Sequence, residues 1–536
     1  MAGSDYKENE KLHMDGHVFG YVLVSFYVAI LLGVAVYGMH RYVLLYLYLK
    51  HRKGNLVPKQ RYTDMPKVTV QLPMFNEDVV AERIIAATCQ IDYPADKLQI
   101  QVLDDSTDHS GDIARKCCEA WAAKGHDVQY VHRTNRMGYK AGALENGLLT
   151  ASGELIAIFD ADFVPPKDIL RNTVDHFTDA TVGLVQVRWE HLNRDASLLT
   201  KSQAIFLDGH FVIEHTARNR SGRFMHFNGT AGIWRKDTIR DAGGWQHDTL
   251  TEDLDLSYRA QMKGWQFVYL PEFSAPAELP PEMCAFKQQA HRWTKGSVQT
   301  CIKLLPKVLL SNVSRRIKVE AFFHLTNTFV YPLMVMLTLL MYPTFFTTLS
   351  PFDAHSTQQH LFSFTLFVLA TCSAGTFFVY AQKELFGRGA GWKTMLYMPA
   401  LMAIGVGVSI NNSRALIEAI WSAIRHKESE FVRTPKYGVV GMAKTTHWQA
   451  NGVFTIKSLW QPLLEIGFGV YTAFCLYVAT RMFIDSPRET GITGLAGIPF
   501  LLVFCSGYLY VGFGTLYALW KMHQQQHAAT SLPASV

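Results

Sequence analysis

Cysteine is scarce and unpatterned. The 536 residues hold eight, none spaced as CxxC, and Cys117 and Cys118 are adjacent. That excludes a disulfide framework and a thiolate zinc module, and it suits a reducing compartment. Cys372, Cys475 and Cys505 fall in apolar stretches, where the thiol acts as a small hydrophobe. Phosphate-binding signatures are missing too. Neither GxGxxG nor GxxxxGK[ST] occurs, so dinucleotide-binding and P-loop chemistry lack their fingerprints. A strong charge of one sign is also absent. The net charge of +6 is too small to call for a nucleic-acid partner.

Charged residues are missing unevenly. Phe322–Met341, Leu361–Tyr380, Leu459–Thr480 and Leu495–Leu519 are mostly apolar runs of bilayer-spanning length. Val18–Val36, continued through Tyr42–Leu49, is another. The basic cluster Lys50–Lys53 places the end of that first run in the cytoplasm and the N-terminus outside. No small-residue cleavage site follows, so the run reads as an anchor. Arg315–Lys318 marks the same side before the second run, and Ser350–His360 makes a short outer loop. Met395–Ile410 has basic residues on both flanks, which leaves no crossing or a tight hairpin. Asn411, Asn412, Arg414 and Glu418 would be costly in lipid and are expected to line a protein interior or a wet path. The expectation is a multi-pass integral membrane protein with lipid around it and one sizeable cytoplasmic domain. The membrane would be a plasma or inner membrane, or the Golgi in a eukaryote.

Between these runs, Lys67 to Pro306 is mixed and charged, long enough to bury a core. Strand and helix patterns alternate there, the mark of an α/β domain with a parallel-type sheet. Val68–Leu72, Leu98–Leu103, Val128–His132 and Leu155–Phe163 read as strands; Asp112–Ala122 and Lys140–Leu149 read as helices. Open α/β sheets collect their chemistry at the carboxyl ends of strands. Those ends carry Asn76–Glu77, Asp104–Asp105 and the pair Asp160 and Asp162. At an extended strand end, residues two apart face one spot, and two carboxylates so placed repel unless a cation joins them.

Each feature has an ordinary structural explanation. Asp160 and Asp162 suit a solvated turn, Lys140 a solvated surface, and Glu252 a helix N-terminus capped by Thr251. Arg292 beside Trp293 suits a membrane-surface helix, or phosphate binding next to a sugar-stacking indole. Coincidence of carboxylates at three strand ends favours a functional site.

Taken in order, Asp104–Asp105, Asp160-x-Asp162, Thr251-Glu252-Asp253 and Gln289-x-x-Arg292-Trp293 resemble the signature of processive family 2 glycosyltransferases, such as cellulose synthase and hyaluronan synthase. QLPMFNE at Gln71–Glu77, QVLDDSTD at Gln101–Asp108, GYKAGAL at Gly138–Leu144 and FNGTAGIWR at Phe227–Arg235 are similar to the plant cellulose-synthase-like A and C groups. These make mannan, glucomannan and the xyloglucan backbone. The resemblance spans Gln71 to Lys436. Phe431-Val-Arg-Thr434-Pro-Lys436 resembles the family's FxVTxK gating loop, with Arg433 in place of the usual Val and Pro435 stiffening it.

The resemblance implies a GT-A type domain inserted in a transmembrane helical bundle. The implied division is a 1–54 anchor, a 55–310 catalytic domain, 311–411 transmembrane helices, a 412–457 interface helix and gating loop, and a 458–536 hairpin with a short tail. It implies hexosyl transfer from a nucleoside-diphosphate sugar to a growing polysaccharide acceptor, with inversion and a β-linked product. Asp253 would be the general base with Glu252 beside it. Asp160 and Asp162 would hold Mg2+ or Mn2+. Asn76, Glu77, Asp104, Asp105, Lys140, Asp160, Gln289 and Arg292 would bind the donor. Phe227, Asn228, Gly229, Thr230 and Trp293 would meet the acceptor, and Phe431, Thr434 and Lys436 would close over the nucleotide. GDP-mannose and UDP-glucose fit equally well. A non-processive enzyme making a glycolipid, and a silent transporter or scaffold, stay open as alternatives.

Overall fold

A single seven-stranded sheet runs in the order β3-β2-β1-β4-β6-β5-β7. Its strands are β1 Val68–Met74, β2 Leu98–Asp104, β3 Asp127–His132, β4 Leu155–Ile158, β5 Val182–His191, β6 Gly232–Arg235 and β7 Gln266–Ala277. The computed structural model describes residues 2–54, 56–348, 373–425, 429–438, 458–485 and 487–530. β1, β2 and β4 are buried almost throughout, because both faces are covered by helices. On one face Val80, Ile84 and Ile85 of the helix Asp78–Cys89 and Ala114 of Ser110–Ala122 pack on Val70, Ile100 and Val102. On the other, Leu144, Leu148, Phe211, Leu256 and Ala260 pack on Ile156, Ile158 and Trp234.

The sheet departs from the parallel expectation at one strand. β1 pairs parallel with β2 and β4, and β2 with β3. β6 runs antiparallel to both β4 and β5. An antiparallel neighbour enters the sheet where the parallel strands leave it. The loop leading into β6, Phe227–Ala231, is therefore delivered to the carboxyl end of β4, where the Ala231 amide donates to the Ile158 carbonyl at 2.8 Å.

A second departure concerns the strand expected over Leu155–Phe163. It stops at Ile158, and the Phe163 amide closes a turn by donating to the Asp160 carbonyl at 3.0 Å. Asp160 and Asp162 thus sit on a turn, and side-chain alternation does not orient them.

The helix Met283–Leu310 crosses against the start of the helix Glu252–Met262. It comes close because position 296 is glycine: a Cβ there would lie 2.5 Å from Thr251 Cγ2 and 2.9 Å from the Thr251 amide nitrogen. Thr251 does precede the helix, but its side chain makes no capping bond and meets the Thr300 hydroxyl at 3.1 Å.

Among the described residues, five helical stretches are long and apolar enough to cross a membrane: Gly20–His51, Arg315–Thr344, Arg388–Ile424, Trp460–Asp485 and Ile498–Gln524. The stretch with the open crossing number is two nearly continuous helices, Arg388–Gly407 and Ser409–Ile424, so a helix runs across 411/412. Ile417, Trp421 and Ile424 lie exposed along it, while Ala415, Leu416 and Ala419 are buried. That one-sided pattern is what an interfacial helix requires. Most of Leu361–Tyr380, and the outer loop Ser350–His360, lie outside the described residues; 373–386 is helical.

Gly296→Val is expected to push the two helices apart, at roughly 1–3 kcal/mol. Thermal unfolding of the detergent-solubilised protein measures it; an unchanged midpoint would contradict the close approach.

Candidate active site

Lys140 is the hub. It enters at the start of the helix Tyr139–Thr150 and reaches across the sheet edge. Its Nζ lies 2.6 Å from Asp160 Oδ1, 2.8 Å from the Gly229 carbonyl and 3.9 Å from Glu252 Oε1. Burial opposes its charge, yet Asp160 and Glu252 outweigh burial and hold its pKa above the ordinary lysine range. Asp253 adjoins the same point. A Cβ on Gly229, which has φ +78°, would lie 3.0 Å from Asp253 Oδ2 and 3.3 Å from Lys140 Nζ. The loop needs glycine there for both backbone and space.

Asp253 is pushed up to about 7 by burial and by the neighbouring Glu252 charge, against Lys140. Glu252 is raised as well, by burial, with Lys140 and Arg292 opposing. Two adjacent carboxylates in a closed site cannot both ionise freely.

The Asp160–Asp162 turn is held from both sides. The Asp160 amide donates to Thr230 Oγ1 at 2.9 Å, and Arg83 Nη2 donates to the Asp162 carbonyl at 3.3 Å. Asp162 Oδ2 pairs with Lys436 Nζ at 2.7 Å. Its Oδ1 is buried with no partner, an orphaned lone pair that fits a cation. Glu77 faces the same region and is pushed up to about 7 by burial, against Lys436 and Arg433.

The described part of the gating-like stretch, 429–438, lies over this edge. Phe431 stacks on Tyr139 with centroids 6.0 Å apart and sits under the Arg292 guanidinium at 4.5 Å. Asp162, Gln289, Thr434 and Lys436 line one narrow pocket beneath it. Residues 439–457 lie outside the described residues.

The donor set divides. Asp105 takes Arg133 in a two-pronged bond at 2.8 and 2.5 Å, so Arg133 belongs to this wall. Nothing in the sequence reading singled out Arg133, although the run from Arg133 to Lys140 carries two arginines before the glycine turn. Asp104 points away: it is buried, accepts from Tyr130 Oη at 2.7 Å and the Ser106 amide at 3.1 Å, and meets His132. It ties strands together, and each of its oxygens already takes a bond from within the domain. Asn76, at φ +54°, exchanges bonds with Ser106 and Thr107 and braces that same wall.

The acceptor set divides as well. Phe227 is fully buried and packs edge-on to Trp234 at 5.6 Å, so it is a core residue, contrary to the expectation. The Asn228 side chain turns to His210 and His226, at 3.2 and 3.1 Å. Thr230 is buried beneath Asp160, and the Gly229 carbonyl is the group of this loop that reaches the hub. Trp293 is half-buried against the core layer that contains Phe227.

Residues 66–296 match the family described as Glycosyltransferase like family 2, and 234–381 match Cellulose synthase. Residues 66–381 are thus similar to family 2 glycosyltransferases, with a cellulose synthase segment. Relatives include Glucomannan 4-beta-mannosyltransferase 1 of Oryza sativa subsp. japonica, 43% identical over 47% of this chain and 49% of that protein. Glucomannan 4-beta-mannosyltransferase 1 of Cyamopsis tetragonoloba is 38% identical over 56% of this chain and 57% of its own. The chain thus spans about half the length of the curated relatives it matches. A mannosyltransferase from Pyrobaculum calidifontis, solved with GDP-Man and Mn2+, overlays with a TM-score of 0.48 at 21% identity, over 68% of this chain and 98% of its own. All seven strands of the mixed sheet described above lie within the matched residues 66–296.

Within this domain, Phe227→Ala is expected to lose about 3–5 kcal/mol of stability, read by denaturant unfolding. A purely acceptor-binding Phe227 would leave stability unchanged. A second expectation follows from Asp253, whose pKa is raised from the free value of about 3.9 to about 7. Below about 4 it is neutral in either state; between about 4 and about 7 only the unfolded state ionises, so stability falls across that window and levels off once both states are ionised. Asp253→Asn should therefore gain thermal stability over wild type as pH rises from about 4 to about 7, and keep that gain at higher pH. A pH-independent difference would show that Asp253 titrates normally.

Proposed function

We propose that the chain is a membrane-embedded, inverting, processive hexosyltransferase. It builds a β-linked, 1,4-joined mannan or glucomannan from a nucleoside-diphosphate sugar and passes the polymer through its own helices. The observation that carries this is the meeting of Asp253, Glu252, Lys140 and the Asp160–Asp162 turn under Phe431–Lys436. The name shared by the relatives, glucomannan 4-beta-mannosyltransferase, favours GDP-mannose over UDP-glucose as donor.

A single displacement needs a base on one side of the anomeric carbon and a stabilised leaving group on the other. Asp253, with its pKa near 7, is matched to taking a proton from an acceptor hydroxyl at neutral pH. Lys140 and Arg292 supply positive charge at the diphosphate, and Lys140 also fixes the acceptor loop through the Gly229 carbonyl. The Asp105–Arg133 pair and Asn76 form the wall for the nucleoside. Asp160 and Asp162, with the unpartnered Asp162 Oδ1, fit a divalent cation. When bound there, Mg2+ or Mn2+ offsets charge developing on the leaving diphosphate. Lys436 stands on Asp162 and would move onto the nucleotide phosphates as the loop closes.

A cavity of about 440 Å3 adjoins Arg292 and is lined by Lys287, His291, Asn411, Arg414, Gln461 and others. Lys287 pairs with Glu465 inside it at 2.6 Å. Polar lining of this kind at the root of the apolar helices suits a sugar chain, whose hydroxyls cannot cross hydrocarbon unaided.

Purified protein given GDP-mannose and a divalent cation should yield long 1,4-linked chains by hydrolysis and linkage analysis. A product of one added sugar, or one that partitions into organic solvent, would overturn processivity. Asp253→Asn should slow transfer by about 100- to 10,000-fold and leave nucleotide binding intact.

A further inference from the structure

Away from the carboxylates, on the far side of the Phe227–Thr230 loop, three imidazoles converge. His210 and His215 come from one turn, Gly209–His215, wound with i→i+5 bonds. In an α-helix, residues five apart diverge by about two-fifths of a turn; the wider winding brings these two rings to 4.4 Å between centroids. Such turns recur at functional sites. His226 closes the group at 5.0 Å from His215 and 5.4 Å from His210. One nitrogen of each ring lies within 4.8 Å of the others.

We infer that His210, His215 and His226 form a binding site for a zinc-class divalent cation, separate from the Asp160–Asp162 site. Four observations support it beyond proximity. His215 is fully buried, and neither of its ring nitrogens has an aligned hydrogen-bond partner, a costly state for a polar group with no ligand to take. His210 Nδ1 meets Glu214 Oε2 at 2.9 Å. A carboxylate at one nitrogen leaves the other as an oriented lone pair, the outer-shell arrangement usual for metal-bound histidine. His210 Nε2 and His226 Nε2 both converge on one atom, Asn228 Nδ2, at 3.2 and 3.1 Å, so a shared point for two ligands already exists. Asn228 Oδ1, buried and unpartnered, offers an oxygen for a further position.

Electrostatics permit the cation. Arg218, the nearby guanidinium, is paired with Glu214 at 3.2 Å and Glu320 at 2.9 Å. Burial, reinforced by His210, holds His215 and His226 well below the ordinary histidine range; the Asn228 amide works weakly against this at His215. Neutral imidazole is the ligating form. Tetrahedral zinc at about 2.1 Å per nitrogen wants ligands about 3.4 Å apart, so the rings must close in by rotamer adjustment. His210 and His226 are only half-buried, so their rings are less tightly enclosed than that of His215. A cation between these rings takes the place of the Asn228 amide nitrogen. Asn228 adjoins Gly229, whose carbonyl holds Lys140, and Thr230, whose hydroxyl holds the Asp160 amide. Occupancy is thereby coupled to the position of the acceptor loop.

The test uses full-length protein carrying Asp162→Asn, which weakens the carboxylate site. The protein is stripped with chelator, loaded with Zn2+, desalted and assayed for metal by mass spectrometry. One zinc per chain is expected. His215→Gln and His226→Asn should each abolish it, and Glu214→Gln should weaken it by roughly 10- to 100-fold. Should a histidine variant fail to fold, Co2+ loading of the unaltered histidines still decides: a tetrahedral, nitrogen-rich visible spectrum supports the site. No stoichiometric zinc, or zinc unaffected by the histidine substitutions in folded protein, overturns it. Neither result bears on the transferase reading, which is tested by product analysis.

Discussion

Lys140 is the interaction on which the site depends. Its ammonium stands between Asp160, Glu252 and the Gly229 carbonyl, with Asp253 alongside. An ion pair at about 4 Å is worth about 4 kcal/mol at an effective dielectric near 20, before desolvation. Several carboxylates within one buried space would otherwise protonate or repel one another apart. Burial still raises Asp253 and Glu252, because Lys140, joined by Arg292 at Glu252, offsets it only partly. That residual crowding raises Asp253 toward neutral pH, while Asp162 keeps one buried oxygen without a partner.

Sheet topology makes this meeting possible. Parallel strands bring Asn76–Glu77, Asp104–Asp105 and the Asp160–Asp162 turn to one edge. The reversed strand β6 adds its entry loop to that edge. The helix Met283–Leu310 brings Gln289 and Arg292 over it, pressed close by Gly296 against Thr251. That same helix carries Lys287 and His291 to the wall of the interior cavity. One element thus connects the carboxylate edge to the polar lining among the apolar helices.

Much of this was legible in the sequence, for definite reasons. β1, β2 and their helices follow from uninterrupted apolar runs and 3.6-residue periodicity, and carboxylates at strand ends stand out against those runs. Orientation was not legible. Asp104 and Asp105 are adjacent, and only Asp105 reaches Arg133, because alternation along β2 sends Asp104 to Tyr130 on the neighbouring strand. Phe227 stands in a motif with Asn228 and Thr230, yet it is core, since Trp234 and Trp245 enclose it. The three histidines lie 16 positions apart at most in no metal-ligand spacing, and an unusual turn unites two of them.

The sequence by itself determined the elements, their order, the apolar spans and the stock of charged groups, because burial and periodicity are local properties of the chain. Tertiary structure alone decided which carboxylate keeps a free oxygen, which lysine neutralises which acid, and which motif residues are merely packed. Those outcomes depend on how far apart groups from distant segments come to rest, and Coulomb and hydrogen-bond energies are set by that distance. The pair Asp160 and Asp162 shows the division: its spacing made a cation site an expectation, while the turn, Lys140 and Lys436 determined what each carboxylate meets.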